Sequence, residues 1–355
     1  MASNHAASAN VDLLFNGKEV PDGHIQELSV ERDMFQPDMA TIVLMNQGDI
    51  YSKQKIGDAC EIKVGENAVS IFKGDIVGLE PIYKGGEKTT ILIRCMNQLH
   101  RLLRIRKSRT WTDKTDQQVL SAVVGDAGLS LEFKHDKAIQ YKHIYQHNQT
   151  DLEFIRTRAA RLGCHVWCVD KKVYVKQPDF GQSTGVELKV DTSNDKADAQ
   201  LLAFMPRLSS ASVVKKVTVR GWSAEKKELI EGSATAAGSQ LGKQHASAAS
   251  NTLGKEETFI ADHPITSKEE ADALAKARLT DLCLTFITGE AKMKDSNPKL
   301  ELGKTLKMTA NSETQDDPFN GGYYIMGLTY RQKMKAKADG AYTLIKLARD
   351  AQGPA

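Results

Sequence analysis

Apolar and polar positions alternate along the first hundred residues, at Ala59–Val64 (ACEIKV), Ala68–Phe72 (AVSIF) and Thr89–Cys95 (TTILIRC). A period of two is the mark of strands with one buried face. Turn formers punctuate these runs at Asn16-Gly17, Pro21-Asp22-Gly23 and Gly85-Gly86. Residues 11–97 therefore predict a first antiparallel β-barrel domain. Val213–Gly221 (VVKKVTVRG) offers it a return strand near 200–222. Residues 1–10 (MASNHAASAN) read as a disordered start.

The period then changes. Thr115 and Gln118 have capping-box spacing, Val119, Leu120, Val123, Val124 and Ala127 form one helical stripe, and Gly128 is placed to stop the helix. Thr150 to Gly163 repeats the design, with Thr150 and Glu153 as the box and Leu152, Ile155, Ala159 and Leu162 as the stripe. A hairpin follows, His165–Val169 and Val173–Lys176, turning at Asp170-Lys171. Residues 98–199 thus predict an α+β insertion. Residues 223–355 predict a second β-barrel domain with one helix from Ser267, whose box partner is Glu270. Its strands are expected at Leu284–Met293, Leu306–Thr309, Tyr323–Arg331 and Ala341–Ala348. The Ala/Ser/Gly/Gln stretch 233–252 lacks apolar periodicity and reads as a mobile loop.

Composition narrows the class. With 355 residues, 41% of them hydrophobic and 26% charged, the chain can form two or three cored domains. The 48 basic and 45 acidic residues leave +3, too little surplus to mark a nucleic-acid binder. No apolar run approaches the roughly 18 residues of a membrane span. Cys60, Cys95, Cys164, Cys168 and Cys283 are odd in number and scattered, which suits reduced thiols in a chain made in the cytoplasm.

Catalytic patterns are incomplete. Gly181-Gln182-Ser183-Thr184-Gly185 fits a nucleophile elbow, but that motif needs a strand before and a helix after, and Val186–Val190 alternates as a strand. Cys164-His165-Val166-Trp167-Cys168 has two thiols on one strand face and the imidazole on the other, with no second ligand pair. Gly238–Lys243 (GSQLGK) is one residue short of a phosphate loop, and Gln244 stands where that loop needs Ser or Thr. The reading is of no catalytic residue, no cofactor and no metal. The densest charge feature is Arg101, Arg104, Arg106, Lys107 and Arg109, with Trp111 beside it. It could bind a phosphate backbone, but is taken here as a candidate interface or channel face.

The order of segments carries a resemblance. Gly74-Asp75-Ile76-Val77 leads to Asn97-Gln98-Leu99-His100-Arg101-Leu102, Arg109-Thr110-Trp111 and Asp151-Leu152-Glu153-Phe154-Ile155. Val217-Thr218-Val219-Arg220-Gly221-Trp222, Asn297-Pro298-Lys299-Leu300, Gly303 and Gly321-Gly322-Tyr323-Tyr324-Ile325-Met326 follow. This series resembles the phage late-control D family of contractile tail hubs, whose module is shared with the valine-glycine-repeat spike proteins of type VI secretion and with extracellular contractile injection systems.

The resemblance implies a β-rich α+β fold of two related antiparallel β-barrel domains with an α+β insertion. It further implies a homotrimer forming a pseudo-sixfold ring that adapts a hexameric inner tube to a trimeric spike. The implied partners are the inner tube protein, the spike or needle tip protein and other baseplate components, within a virion or phage-tail-like particle. Rival readings are the hub part of an effector-carrying spike protein and a baseplate cell-wall hydrolase. The segment Asp350–Ala355 is expected to face the spike, and truncation after Arg349 to leave ring formation intact.

Overall fold

The computed structural model describes every residue except 1–10, 84, 86–88, 191–200, 224–225, 237, 249–256, 262–263, 312, 315, 334–339 and 355. The expected disordered start therefore lies outside the described residues. Apart from short 3-10 turns at Asp22–His24 and Gln47–Asp49, the regular elements of the first half are strands: β1 (Val11–Phe15), β2 (Lys18–Glu19), β3 (Ile25–Asp33), β4 (Met39–Met45), β5 (Ala59–Val64), β6 (Val69–Ile82) and β7 (Thr90–Met96). Alternation does what it predicts. In β4, Ala40, Ile42 and Leu44 are fully buried while their neighbours lie half-buried on the other face. With Leu13, Leu28, Ile62, Ile76, Ile91 and Ile93 they form one aliphatic core, each large side chain contributing about 1.5–3 kcal/mol of transfer free energy.

Between the halves sits a unit with its own core. It contains β8 (Arg106–Thr115), α1 (Asp116–Gly125), β9 (Ser130–Lys134), β10 (Gln140–Thr150), α2 (Asp151–Arg161), β11 (His165–Val169) and β12 (Lys172–Lys176). Both capping boxes form as expected, Thr115 with Gln118 and Thr150 with Glu153. β8 and β10 make a two-stranded ribbon, and β12 lies between β11 and a parallel β9.

The second half comprises β13 (Ser183–Lys189), β14 (Leu201–Leu208), β15 (Lys216–Ser223), β16 (Glu228–Thr235), β17 (Gln244–His245), β18 (Glu257–Ile260) and α3 (Lys268–Leu284). It continues with β19 (Ile287–Lys294), β20 (Thr305–Thr309), β21 (Gly321–Lys333), β22 (Ala341–Arg349) and β23 (Ala351–Gln352). At the start of α3, Ser267 accepts from the Glu270 N–H at 3.1 Å, but Glu270 turns its carboxylate to Thr266 rather than completing a box.

Four sequence expectations are corrected. The two halves are not separate barrels. Strands of both belong to one 13-stranded sheet, joined where β21 pairs with β3. Thirteen residues of β21 span about 43 Å, long enough for β20 to occupy the first part of one edge and β3 the rest. The return strand belongs to the second half: β14 pairs with β19, and β15 joins β16 and β18 against α3. The insertion does not reach residue 199, because β13 pairs with β20. The stretch 233–252 is not one loop: Ser233–Thr235 end β16, β17 pairs with β23, and Leu241 and Ala246 are buried. Its residues 237 and 249–252 lie outside the described residues.

The halves nevertheless repeat one pairing plan. In β6 an unpaired Val77 separates Ile76, opposite Cys95, from Gly78, opposite Arg94. In β21 an unpaired Met326 separates Ile325, opposite Leu347, from Gly327, opposite Lys346. β4 pairs with β7 as β19 pairs with β22, with Ile42 opposite Ile93 and Ala291 opposite Ile345. β3 bulges at Gln26 against β4, and β14 bulges at Leu202 against β19. Ile76 exchanges backbone hydrogen bonds with Asp58 and Gly57, both 2.8 Å, and Ile325 does so with Lys304 and Gly303 at 2.9 and 3.2 Å.

Candidate assembly surface

Gly74-Asp75 makes the corner at which β6 passes from β5 to β7, Asp75 lying opposite both Ala59 and Met96. A Cβ on residue 74 would overlap the Met96 carbonyl, so the corner needs glycine. The chain leaving β7 folds back as a short 3-10 turn over Gln98–Leu103, capped by Asn97, whose side chain accepts from the Leu99 N–H. That turn delivers three donors to Asp75: Gln98 Nε2 and His100 Nε2, each at 3.0 Å, and Arg101 Nη2 at 3.0 Å. Burial opposes the Asp75 charge, but the hydrogen bonds from His100, Gln98 and Arg101 outweigh it and hold the carboxyl below its ordinary range. The segments Gly74–Val77 and Asn97–Leu102 thus meet in one polar clasp.

Nearby, Asp38 precedes β4 with Arg32 3.8 Å away. Burial pushes its carboxyl up to about 7, against the opposing pull of Arg32, Asn97 and the Asp33 N–H.

The basic run is not an open cationic strip. Arg101 serves Asp75, Arg104 Nη2 lies 3.3 Å from His100 Nδ1, and Arg106 binds Glu153 at 2.9 Å and the Asn148 carbonyl at 2.6 Å. Lys107 binds Asp151 at 2.7 Å, while Arg109 bridges Asp151, Asp126 and Gln146 and lies over the Trp111 ring. The sequence expectation saw the cations but not the carboxylates, which arrive from the C-cap of α1, from α2 and from β6. The run ties the insertion together and to the first half.

β11 divides its side chains between two cores. Cys164, Val166 and Cys168 face the insertion core, whereas Trp167 packs with the second-half core. His165 Nδ1 lies 3.1 Å from the Tyr324 hydroxyl, and burial pushes its imidazole down to about 4. Burial raises the Cys164 and Cys168 thiols to about 12. Ser183 opens β13, with its Oγ accepting from the Gly185 N–H at 3.0 Å, and a strand rather than a helix follows. In the GSQLGK stretch the Leu241 carbonyl accepts from Arg349 Nη2 at 2.7 Å.

Arg349 is fully buried, and it also donates to the carbonyls of Asn320 (2.9 Å) and Gly353 while its guanidinium covers the Tyr323 ring. Asp350 is bonded by Ser239 and lies 3.7 Å from His245 Nε2. His245 Nδ1 lies 2.9 Å from Ser247 Oγ and accepts the Ser247 N–H at 3.1 Å. Strand pairing fastens β17 to β23, extended by the Ala246 N–H, which donates to the Asp350 carbonyl at 2.8 Å. Truncation after Arg349 would remove Asp350, β23 and the Gly353 carbonyl, so the segment expected to face the spike is also built into the fold.

Two edge stretches of the 13-stranded sheet carry exposed apolar side chains and lack a partner on one side among the described residues. β14 pairs with β19 alone, apart from one bridge at Leu201, and exposes Leu202, Met205 (57%) and Leu208. The second half of β6, Gly78–Ile82, pairs with β7 on one side only, and Ile82 and Tyr83 (66%) are exposed there. Open apolar edges are templates for further strand pairing. Among the described residues no cluster of His, Cys, Asp and Glu is placed to hold a metal ion, and no helix is long and apolar enough to cross a membrane.

Residues 5–333 match the family model described as the Alg8 N-terminal domain. No curated protein matches. Among solved structures, the fold is similar to a 43 kDa tail protein of prophage MuSo2 from Shewanella oneidensis, with 14% identity and a TM-score of 0.70 over 97% of this chain and 100% of that one. A tail protein from Neisseria meningitidis gives 13% identity and a TM-score of 0.72, covering 97% of each chain. An Escherichia coli protein described as a component of the type VI secretion system gives 11% and 0.63, covering 94% of this chain and 76% of that one. At these identities the likeness is one of fold.

Proposed function

The chain belongs to the Alg8 N-terminal domain family, the family model that matches being this one and not late-control D, and we propose from the repeated pairing plan that it is the structural hub of a contractile injection machine. In this reading three copies form a ring that receives a hexameric inner tube on one rim and a trimeric spike on the other, within the baseplate of a virion or phage-tail-like particle. The observation that carries it is the repeated pairing plan. Two equivalent strand sets in one chain are what a threefold object needs to present six similar positions. The tail-protein fold is consistent with the same role. The hub portion of an effector-carrying spike protein remains a second form of this reading, since the type VI component has the same fold.

We propose no catalytic role. Ser183 is held in a local turn, and Cys164, His165 and Cys168 are packed between cores. The test is native mass spectrometry with threefold-averaged imaging of the purified chain. The expected result is a trimer whose ring shows six similar lobes, each contact burying above roughly 2,000 Å². A strict monomer at every concentration, or a ring of six chains, would overturn it.

A further inference from the structure

The repeated plan is complete in the second half and incomplete in the first. β21 has β20 along the start of one edge and β3 along the rest; β6 has β5 along the start of the equivalent edge and nothing described beyond Ile76. The strand equivalent to β3 is β14, because both precede and bulge against the equivalent strands β4 and β19. We propose that the open edge of β14 pairs antiparallel with the second half of β6 in another copy of the chain, making between copies the joint that β3 and β21 make within one. The number of copies rests on the hub reading; the joint and its register do not.

The register follows residue by residue. Within one chain Leu328 lies opposite Arg32, Thr329 opposite Glu31 and Arg331 opposite Ser29. Transferring these through the shared β7-like and β19-like pairings sets Leu79 opposite Leu208, Glu80 opposite Arg207 and Ile82 opposite Met205. The two apolar pairs then cover Leu208, Ile82 and Met205, which are exposed in the single chain, Leu79 being half-buried already, and the third pair is of opposite charge, Glu80 also holding Arg94 at 2.7 Å. The internal joint is laced in the same manner, by Arg331–Glu31 at 3.7 Å and Lys333–Glu27 at 3.4 Å. Pro81 and Pro206 fall opposite each other, and neither has an N–H to give. Edge prolines discourage indiscriminate pairing, so this joint draws on its flanking residues and on closure of an assembly.

Cysteine cross-linking tests the register. Residues directly opposite in an antiparallel pair bring their Cβ atoms to about 4.5–5.5 Å, close to disulfide range. All five native cysteines are buried, so the introduced thiols are the accessible ones. Glu80→Cys chains alone and Arg207→Cys chains alone should give no covalent dimer on mild oxidation, whereas their mixture should give one. A chain carrying both should yield closed covalent oligomers, and Glu80→Cys with Leu202→Cys should not.

A dimer from either single variant alone would show a twofold contact and overturn the joint. Equal cross-linking by the off-register pair would overturn the register. Oligomers by native mass with no cross-link in the mixture would place the contact elsewhere, leaving the hub reading standing. A monomer with no cross-link would overturn both. Glu80→Arg with Arg207→Glu gives an independent arm: each alone should lower assembly at least tenfold, and together they should restore it.

Discussion

At one and the same corner of the repeated plan, the two halves carry opposite chemistry. In the first, Gly74-Asp75 meets Gln98, His100 and Arg101 from the segment that leaves β7. In the second, the equivalent Tyr323-Tyr324 meets Arg349 from the end of β22 and His165 from the insertion. One corner is a buried carboxylate fed by donors; the other is an aromatic pair beneath a buried guanidinium fed by carbonyls. The backbone plan decides where a corner falls, and its side chains decide which neighbouring segment is fastened to it.

Breaking each corner should expose that difference. Arg349→Met takes its donor from the Asn320 and Gly353 carbonyls, each orphaned acceptor costing about 1–3 kcal/mol, while the Leu241 carbonyl keeps the Gly322 N–H at 3.1 Å. A total on the order of 4 kcal/mol is expected from urea unfolding, together with early hydrogen exchange in β17 and β23. Asp75→Ala should cost less, about 2–3 kcal/mol, because Arg101 can turn to water. Its exchange should rise in 98–103 and leave β23 unchanged. If both variants loosened the same segments, the corners would not be independent fasteners.

Proton linkage sharpens the contrast. Asp38, beside the first half's corner, has a folded-state pKa of about 7, above the ~3.9 of an unfolded Asp. The native state therefore holds the extra proton, and this group's contribution to stability is lost as pH rises from ~4 to about 7. His165, at the other corner, sits at about 4 when folded against ~6.5 unfolded. Here the unfolded state holds the extra proton, so stability is lost as pH falls from ~6.5 to about 4. Asp38→Asn should gain most over the parent at pH 8, and His165→Gln should flatten the acid side; urea midpoints at pH 4.5, 6 and 8 check both. The smallest effect belongs to Ser183→Ala, which should stay within about 0.5 kcal/mol and change no rate. A hydrolase activity abolished by it would revive the enzyme reading.

The helices were legible because capping and periodicity are local: Thr115 with Gln118 and Thr150 with Glu153 stand three residues apart. The β11–β12 hairpin was legible for the same reason, and Asp170 takes the positive φ its turn requires. The strand set of the second half was half-visible. Gly221 and Trp222 mark β15, but nothing within β15 says that its partners are β16 and β18 rather than a strand two hundred residues earlier. The partners of the basic run were illegible for a related reason. Arg106 and Glu153 are 47 positions apart, and a charge reads as free until its counter-charge is placed. Polar Asp75 gave no hint of the clasp until the turn at Gln98 was folded onto it.

The joined sheet contains an unbroken run of eight strands from β6 through β7, β4, β3, β21, β22 and β19 to β14, every neighbouring pair antiparallel. Eight is even, so the first and last strands of the run point in opposite senses. A further copy added antiparallel to β14 therefore begins with its β6 pointing as the first one does. Each copy keeps the same up and down, and an assembly grown through this edge has two unlike rims. An odd count would reverse every second copy, giving two rims of mixed composition that no partner could tell apart.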